Sequence, residues 1–274
     1  MRIRIFIFAM TIGLSVVLSA FADEPAVDEI VRKANHMALY QGKDSKGRVA
    51  LVITDKQGRV RERRLNMLRK NDGGKDCNQK YFAFFQAPAD VRKMVFMVHK
   101  HAALKQDDDR WLYMPSLDLV KRIAASDKRT SFVGSHFLYE DISGRSVLED
   151  VHELIQTTDR HYVVKNTPKS PENVEFAYYI AHIDKKTFLP IKTEYFKKEG
   201  QCYRVIAAKQ VENIEAKENG RQVIYPTITE STAEDLESGG KTTMTVSAIR
   251  YNVGLGDHLF TERYLRRPPR DAMR

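Results

Sequence analysis

Little in this sequence invites bond-making chemistry. Its 274 residues include two cysteines, Cys77 and Cys202, and one tryptophan. So few thiols exclude a disulfide-dense scaffold and a multi-thiolate metal centre. There is no Ser-centred nucleophile elbow and no glycine-rich phosphate loop. Gly254-Leu255-Gly256 lacks the third glycine of a dinucleotide-binding turn and reads as a plain turn. His99 and His101 would share one strand face, but without further ligands nearby they read as a solvated edge. Asp107, Asp108 and Asp109 lack calcium-loop spacing and read as a hairpin tip. The reading is therefore no enzyme, no cofactor and no metal. After the first twenty or so residues, no apolar run approaches the length needed to cross a bilayer.

What is present begins at the N-terminus. Arg2 and Arg4 precede an apolar stretch reaching Leu18, then Ala20-Phe21-Ala22, then the polar Asp23-Glu24-Pro25. This is the three-part pattern of a secretory signal, and cleavage is expected after Ala22. No cysteine follows that site, so a lipid anchor is not expected. The expectation is a periplasmic chain, soluble after cleavage, with residues 23–274 forming one domain. In an oxidising compartment a Cys77–Cys202 disulfide is permitted, but the sequence leaves it open. The formal charge is +9, and loss of Arg2 and Arg4 would leave +7. A basic surface favours acidic partners. In the periplasm, these are anionic lipid headgroups rather than nucleic acid.

Hydrophobic spacing then divides the chain. Val27, Ile30, Val31, Ala34, Met37 and Ala38 recur at helical intervals, predicting an amphipathic helix over residues 27–40 that Gly42 closes. Beyond it the pattern is that of strands: residues 49–53 and 60–68 as a hairpin, then 81–85, 94–98, 111–114, 162–164, 176–183, 191–196, 203–207, 223–225 and 242–251. Turns such as Asn71-Asp72-Gly73-Gly74 and Glu218-Asn219-Gly220 punctuate them. Residues 147–155 read as a short helix. Many short strands and few helices predict a large antiparallel sheet that curls on itself. The N-terminal helix is available to cover its open side.

The richest segment is Asp109 to Asp141. Trp111 and Tyr113 fall on one strand face by alternation. Phe132, Phe137 and Tyr139 follow, with Lys121, Arg122, Lys128 and Arg129 close by. An apolar wall with a basic rim suits an amphiphile with an acidic headgroup, although large aromatics also simply fill cores. Alternation and position give as wall candidates Phe82, Phe84, Phe96, Trp111, Tyr113, Phe137 and Tyr139, with Arg122 near a headgroup.

The runs Trp111-Leu112-Tyr113-Met114-Pro115, Lys121-Arg122-Ile123 and Ser131-Phe132-Val133-Gly134-Ser135-His136-Phe137, then Tyr139 and Asp141, carry a resemblance. So do Tyr81-Phe82, Phe84 and Pro88 upstream, and Asn252-Val253-Gly254-Leu255, Phe260-Thr261 and Leu265 downstream. Together they resemble the outer membrane lipoprotein-sorting protein family, relatives of the LolA-like periplasmic lipoprotein carrier. Two places depart from the pattern: His136 stands where the family usually has aspartate, and Arg92-Lys93-Met94 replaces a glycine-containing turn. The resemblance implies an unclosed β-barrel with a helical lid over a hydrophobic cavity. It implies non-enzymatic carriage of lipid or lipoprotein acyl chains between envelope membranes, and an inner-membrane exporter of the resistance-nodulation-division (RND) type as partner. The alternative is an envelope interaction module that docks on a membrane transporter and carries nothing.

Overall fold

The computed structural model describes residues 24–74 and 77–273; the expected signal segment lies outside them. Helix α1 (Val27–Asn35) opens the described chain. Six strands follow: β1 (Asp44–Thr54), β2 (Val60–Asp72), β3 (Asn78–Ala87), β4 (Val95–Lys100), β5 (Asp109–Met114) and β6 (Leu119–Arg122). After a connection that contains the short helix α2 (Tyr139–Ser143), seven more complete the sheet: β7 (Asp150–Thr157), β8 (His161–Pro168), β9 (Tyr178–Asp184), β10 (Pro190–Phe196), β11 (Cys202–Glu218), β12 (Arg221–Asp235) and β13 (Gly240–Tyr251). All thirteen form one antiparallel sheet in the order β6-β5-β4-β3-β2-β1-β13-β12-β11-β10-β9-β8-β7. It is two meanders joined through β1 and β13. The edge strands β6 and β7 do not pair, so the barrel is unclosed.

The predicted strands are all present, several longer than hydrophobicity alone indicated. Residues 147–155 are a correction. Only Val147–Glu149 turn helically, and β7 then runs extended against β8. The predicted N-terminal helix also differs at its end, where residues His36–Tyr40 widen into a π turn. Side chains of the sheet claim its carbonyls there. Arg69 donates to Leu39 O (3.0 Å) and Gln41 O, and Gln79 Nε2 donates to Leu39 O (2.9 Å). With those acceptors satisfied from outside, the last turn need not keep α spacing.

Strand register assigns every side chain to one of two faces. On the inner face, Val49, Leu65 and Phe85 stand in one cross-strand row and Ala83, Phe96 and Leu112 in another. On the outer face, Leu68, Phe82, Met97 and Trp111 form one row, and Asn66, Phe84, Val95 and Tyr113 the next. The inner core continues across the second meander, where Ile30, Val31 and Ala34 of α1 bury Tyr162, Val164, Ala181 and Ile183. Outer rows of β2–β5 are covered by the C-terminal segment, through Leu255, Leu259, Phe260, Leu265 and Ala272.

Asp44 fastens that segment. Its buried carboxylate accepts the backbone N–H groups of Val253 (2.7 Å), Gly254 (2.9 Å) and Leu255 (2.8 Å). The turn is possible because Asn252 and Gly254 take positive φ. Asp44→Ala should cost about 1.5–3 kcal/mol, as for lost hydrogen bonds to a charged group. Chemical unfolding would measure the loss, and trypsin would cut earlier among the arginines from Arg263 onward.

Candidate functional site

The connection from Ile123 to Glu149 folds back across the inner face of the first meander and acts as a plug. Its hairpin is closed by Phe132 N–H donating to Phe137 O at 2.8 Å. Val133 and Gly134 turn it with positive φ, an uncommon conformation for a β-branched residue and one that only surrounding structure sustains. The turn drives Phe132 into the sheet. Its ring centroid lies 5.4 Å from Phe96, 5.6 Å from Tyr139 and 5.8 Å from Phe85, while Phe96 and Tyr139 are 5.0 Å apart. These tilted and edge-on pairs are each worth about 0.5–1.5 kcal/mol beyond area burial. Phe137 and Ile142 complete the cluster.

Charged groups latch the plug. Arg129 grips Glu175 with two 2.7 Å hydrogen bonds and also pairs with Glu140. Glu140, itself only 3% exposed, further meets Lys128 (3.3 Å) and Arg145 (3.5 Å). Burial pushes the Glu140 carboxyl up, but Arg129, Lys128 and Arg145 outweigh it and hold it below the ordinary carboxylate value. Three sheet strands also hold the connection. From β4, Lys100 donates to Ser143 O (2.6 Å) and Gly144 O (2.7 Å). From β11, Arg204 pairs with Asp141, whose carboxylate caps Leu138 N–H at 2.6 Å. From β13, Thr242 Oγ1 accepts the backbone N–H of His136 at 2.9 Å and meets its Nδ1 at 2.8 Å. Burial pushes Lys100 down to about 8 and also lowers His136.

A cleft of ≈ 650 Å³ runs beside the plug. Lys100, Arg110, Lys128, Glu140, Arg145 and Glu149 are among its lining residues. It is a polar cleft, with Arg110 held by Asp108. The apolar hollow expected from the sequence is occupied by the chain's own Phe132, Phe137 and Tyr139.

The eight residues singled out earlier therefore separate. Phe96, Phe137 and Tyr139 meet on the inner face. Phe82, Phe84, Trp111 and Tyr113 are buried on the outer face under the C-terminal segment. Arg122 is exposed on the edge strand, paired with Asp109 and lying 5.5 Å over the Trp111 ring. Lys128 and Arg129 do not form an open basic rim, because carboxylates from the plug and from Glu175 consume them. Sequence reasoning missed the latch residues Lys100, Glu140, Arg145 and Arg204; Glu140 and Arg145 follow directly on the aromatic motif, whereas nothing local to Lys100 or Arg204 points to it. Cys77 and Cys202 are both free. No group of three or more metal-ligating side chains converges among the described residues, and no helix among them is long and apolar enough to cross a membrane.

Three solved structures align with this open antiparallel sheet over most of their length. A DUF1329 family protein from Desulfovibrio piger aligns with a TM-score of 0.75 at 27% identity, over 87% of this chain and 98% of its own. An outer membrane lipoprotein-sorting protein domain from Vibrio parahaemolyticus aligns with a TM-score of 0.73 at 23% identity, over 87% and 97%. A LolA superfamily protein from Nitrosomonas europaea gives 0.64 at 20% identity, over 88% and 100%. No curated protein matches the chain. Residues 77–267 match the model of the DUF1329-like family, described as an uncharacterized protein, and the chain belongs to that family.

Proposed function

We propose that the protein is a non-enzymatic periplasmic carrier that takes up acyl chains of a lipoprotein or lipid on the inner face of its sheet and passes them between envelope membranes. One observation carries this reading: the apolar inner face of the first meander is covered by a single connection, residues 123–149, rather than by a second sheet. In the plugged state Phe132, Phe137 and Tyr139 occupy the space that acyl chains would take. Loading then means exchanging these rings for cargo. Each methylene buried returns about 0.8 kcal/mol, so a long chain can offset the aromatic packing it displaces. The shared fold with a lipoprotein-sorting domain and a LolA superfamily protein supports the carrier role. An inner-membrane exporter of the RND type as the source of cargo belongs to the same proposal.

The polar cleft and the filled interior favour one other reading, an envelope module that docks on a transporter without cargo. Titration with a fluorescent fatty-acyl probe, together with mass spectrometry of lipid co-purified from the native periplasm, separates the two. The carrier reading expects saturable uptake and bound lipid. Absence of both, alongside crosslinking to a transporter, would sink it in favour of the docking module.

A further inference from the structure

The outer face of the sheet holds a concentration of cations that the fold does not neutralise. Lys46 on β1 and Arg250 on β13 are direct cross-strand partners, and like charges so placed repel. Arg48 follows two residues along β1, on the same face. These three side chains, with Asn66, Leu68 and Ala248, surround a depression of ≈ 40 Å³. Arg64 projects from β2 on the same face, opposite Ala50. The C-terminal segment reaches this point, since Asn66 Nδ2 donates to Ala272 O at 3.1 Å, and it adds the exposed Arg267 and Arg270.

The contrast with a neighbouring pair shows that the fold can neutralise such sites. Lys70 and Lys80 also stand opposite one another, on β2 and β3. There Asp257 sits between them, 3.0 Å from Lys70 and 2.9 Å from Lys80. Around Lys46, Arg48, Arg64 and Arg250 no carboxylate lies within ion-pairing distance among the described residues; Glu62 and Glu230, on adjacent strands of this face, pair with none of them. Repulsion left standing costs stability in the free protein, and a partner of opposite charge removes that cost.

We propose that this face docks on an anionic bilayer surface. The cations are spread over three adjacent strands and the tail, so they present a plane rather than a groove, and the depression is too small to enclose a peptide. Val52 and Val60, at 38% and 58% exposure, lie on the same face and offer apolar contact at the headgroup boundary. Docking by the outer face leaves the plug and the cleft on the other side of the sheet free, and it does not depend on what the inner face carries.

The experiment is co-sedimentation of the protein with phosphatidylcholine vesicles that contain or lack phosphatidylglycerol. Binding should require phosphatidylglycerol and vanish in high salt. The variant Lys46→Gln/Arg48→Gln/Arg250→Gln should bind on the order of a hundredfold more weakly, at about fivefold per cation. The variant Lys186→Gln/Lys198→Gln/Lys209→Gln removes the same charge from exposed positions on the other meander and should bind nearly as the parent does. Circular dichroism confirms that both variants are folded. Equal weakening in the two variants would mean general charge attraction only, and overturn the proposal. So would binding to polyglutamate without binding to vesicles, which would assign the face to an acidic protein.

Discussion

Replacing Phe132 by alanine should destabilise the protein by about 3–5 kcal/mol and at the same time increase its uptake of a fatty-acyl probe. The first effect follows from packing. Phe132 is fully buried among Phe85, Phe96 and Tyr139, and truncating such a ring loses both its transfer free energy and the contacts around the cavity left behind. The second follows from the proposed role. The cavity opens on the inner face, in the space acyl chains would enter, and a ring that cargo must displace is already gone. Thermal or chemical unfolding gives the first quantity and probe titration gives the second. A variant that loses stability without gaining uptake would mark Phe132 as ordinary core and count against loading beneath the plug.

Glu140→Gln should also destabilise, by about 1.5–3 kcal/mol, because it removes the charge from charge-assisted hydrogen bonds in a buried cluster. Arg129, Lys128 and Arg145 all converge on this carboxylate, although each keeps a second acidic partner in Glu175, Glu149 or Asp150. At 2–4 °C per kcal/mol for a domain of this size, the melting temperature should drop by roughly 3–12 °C. The pH dependence provides an independent check. The folded-state pKa of Glu140 is depressed, so its contribution is complete above the ordinary glutamate value of 4.5 and disappears as pH falls through the lower folded value. The parent should therefore lose stability on acidification from pH 5 downward more steeply than the Gln variant. Parallel curves would show that Glu140 does not carry the latch.

The candidate site illustrates how far alternation reaches. That Phe82 and Phe84 share a face, and that Trp111 and Tyr113 share one, follows from the two-residue period of a strand. That Phe96 lies on the opposite face follows only from its pairing with Ala83, which stands between Phe82 and Phe84. A shift of one residue in that register would have put Phe96 beside Phe82 and Phe84, and because Phe96 pairs with Leu112 it would have carried Trp111 and Tyr113 to the other face. The basic rim read from Lys128 and Arg129 failed for a related reason. Glu175, which takes up Arg129, lies 46 residues further along the chain, and local sequence has no means of showing that it returns. Gly134 is by contrast a local turn signal, but Val133 beside it takes positive φ only because the packed structure holds it there.

Sequence alone determined the class: strand-length alternation from residue 49 to residue 251 requires an antiparallel sheet, and the motifs around Trp111 and Phe132 mark its family. It also determined the charge that an outer face would have to place somewhere. Tertiary structure decided which face each ring occupies, which cations are neutralised and which are left in excess, and that the inner face is filled by the connection itself. Periodicity is a property of neighbours along the chain, whereas facing and pairing depend on the offset between strands that the chain brings together from far apart.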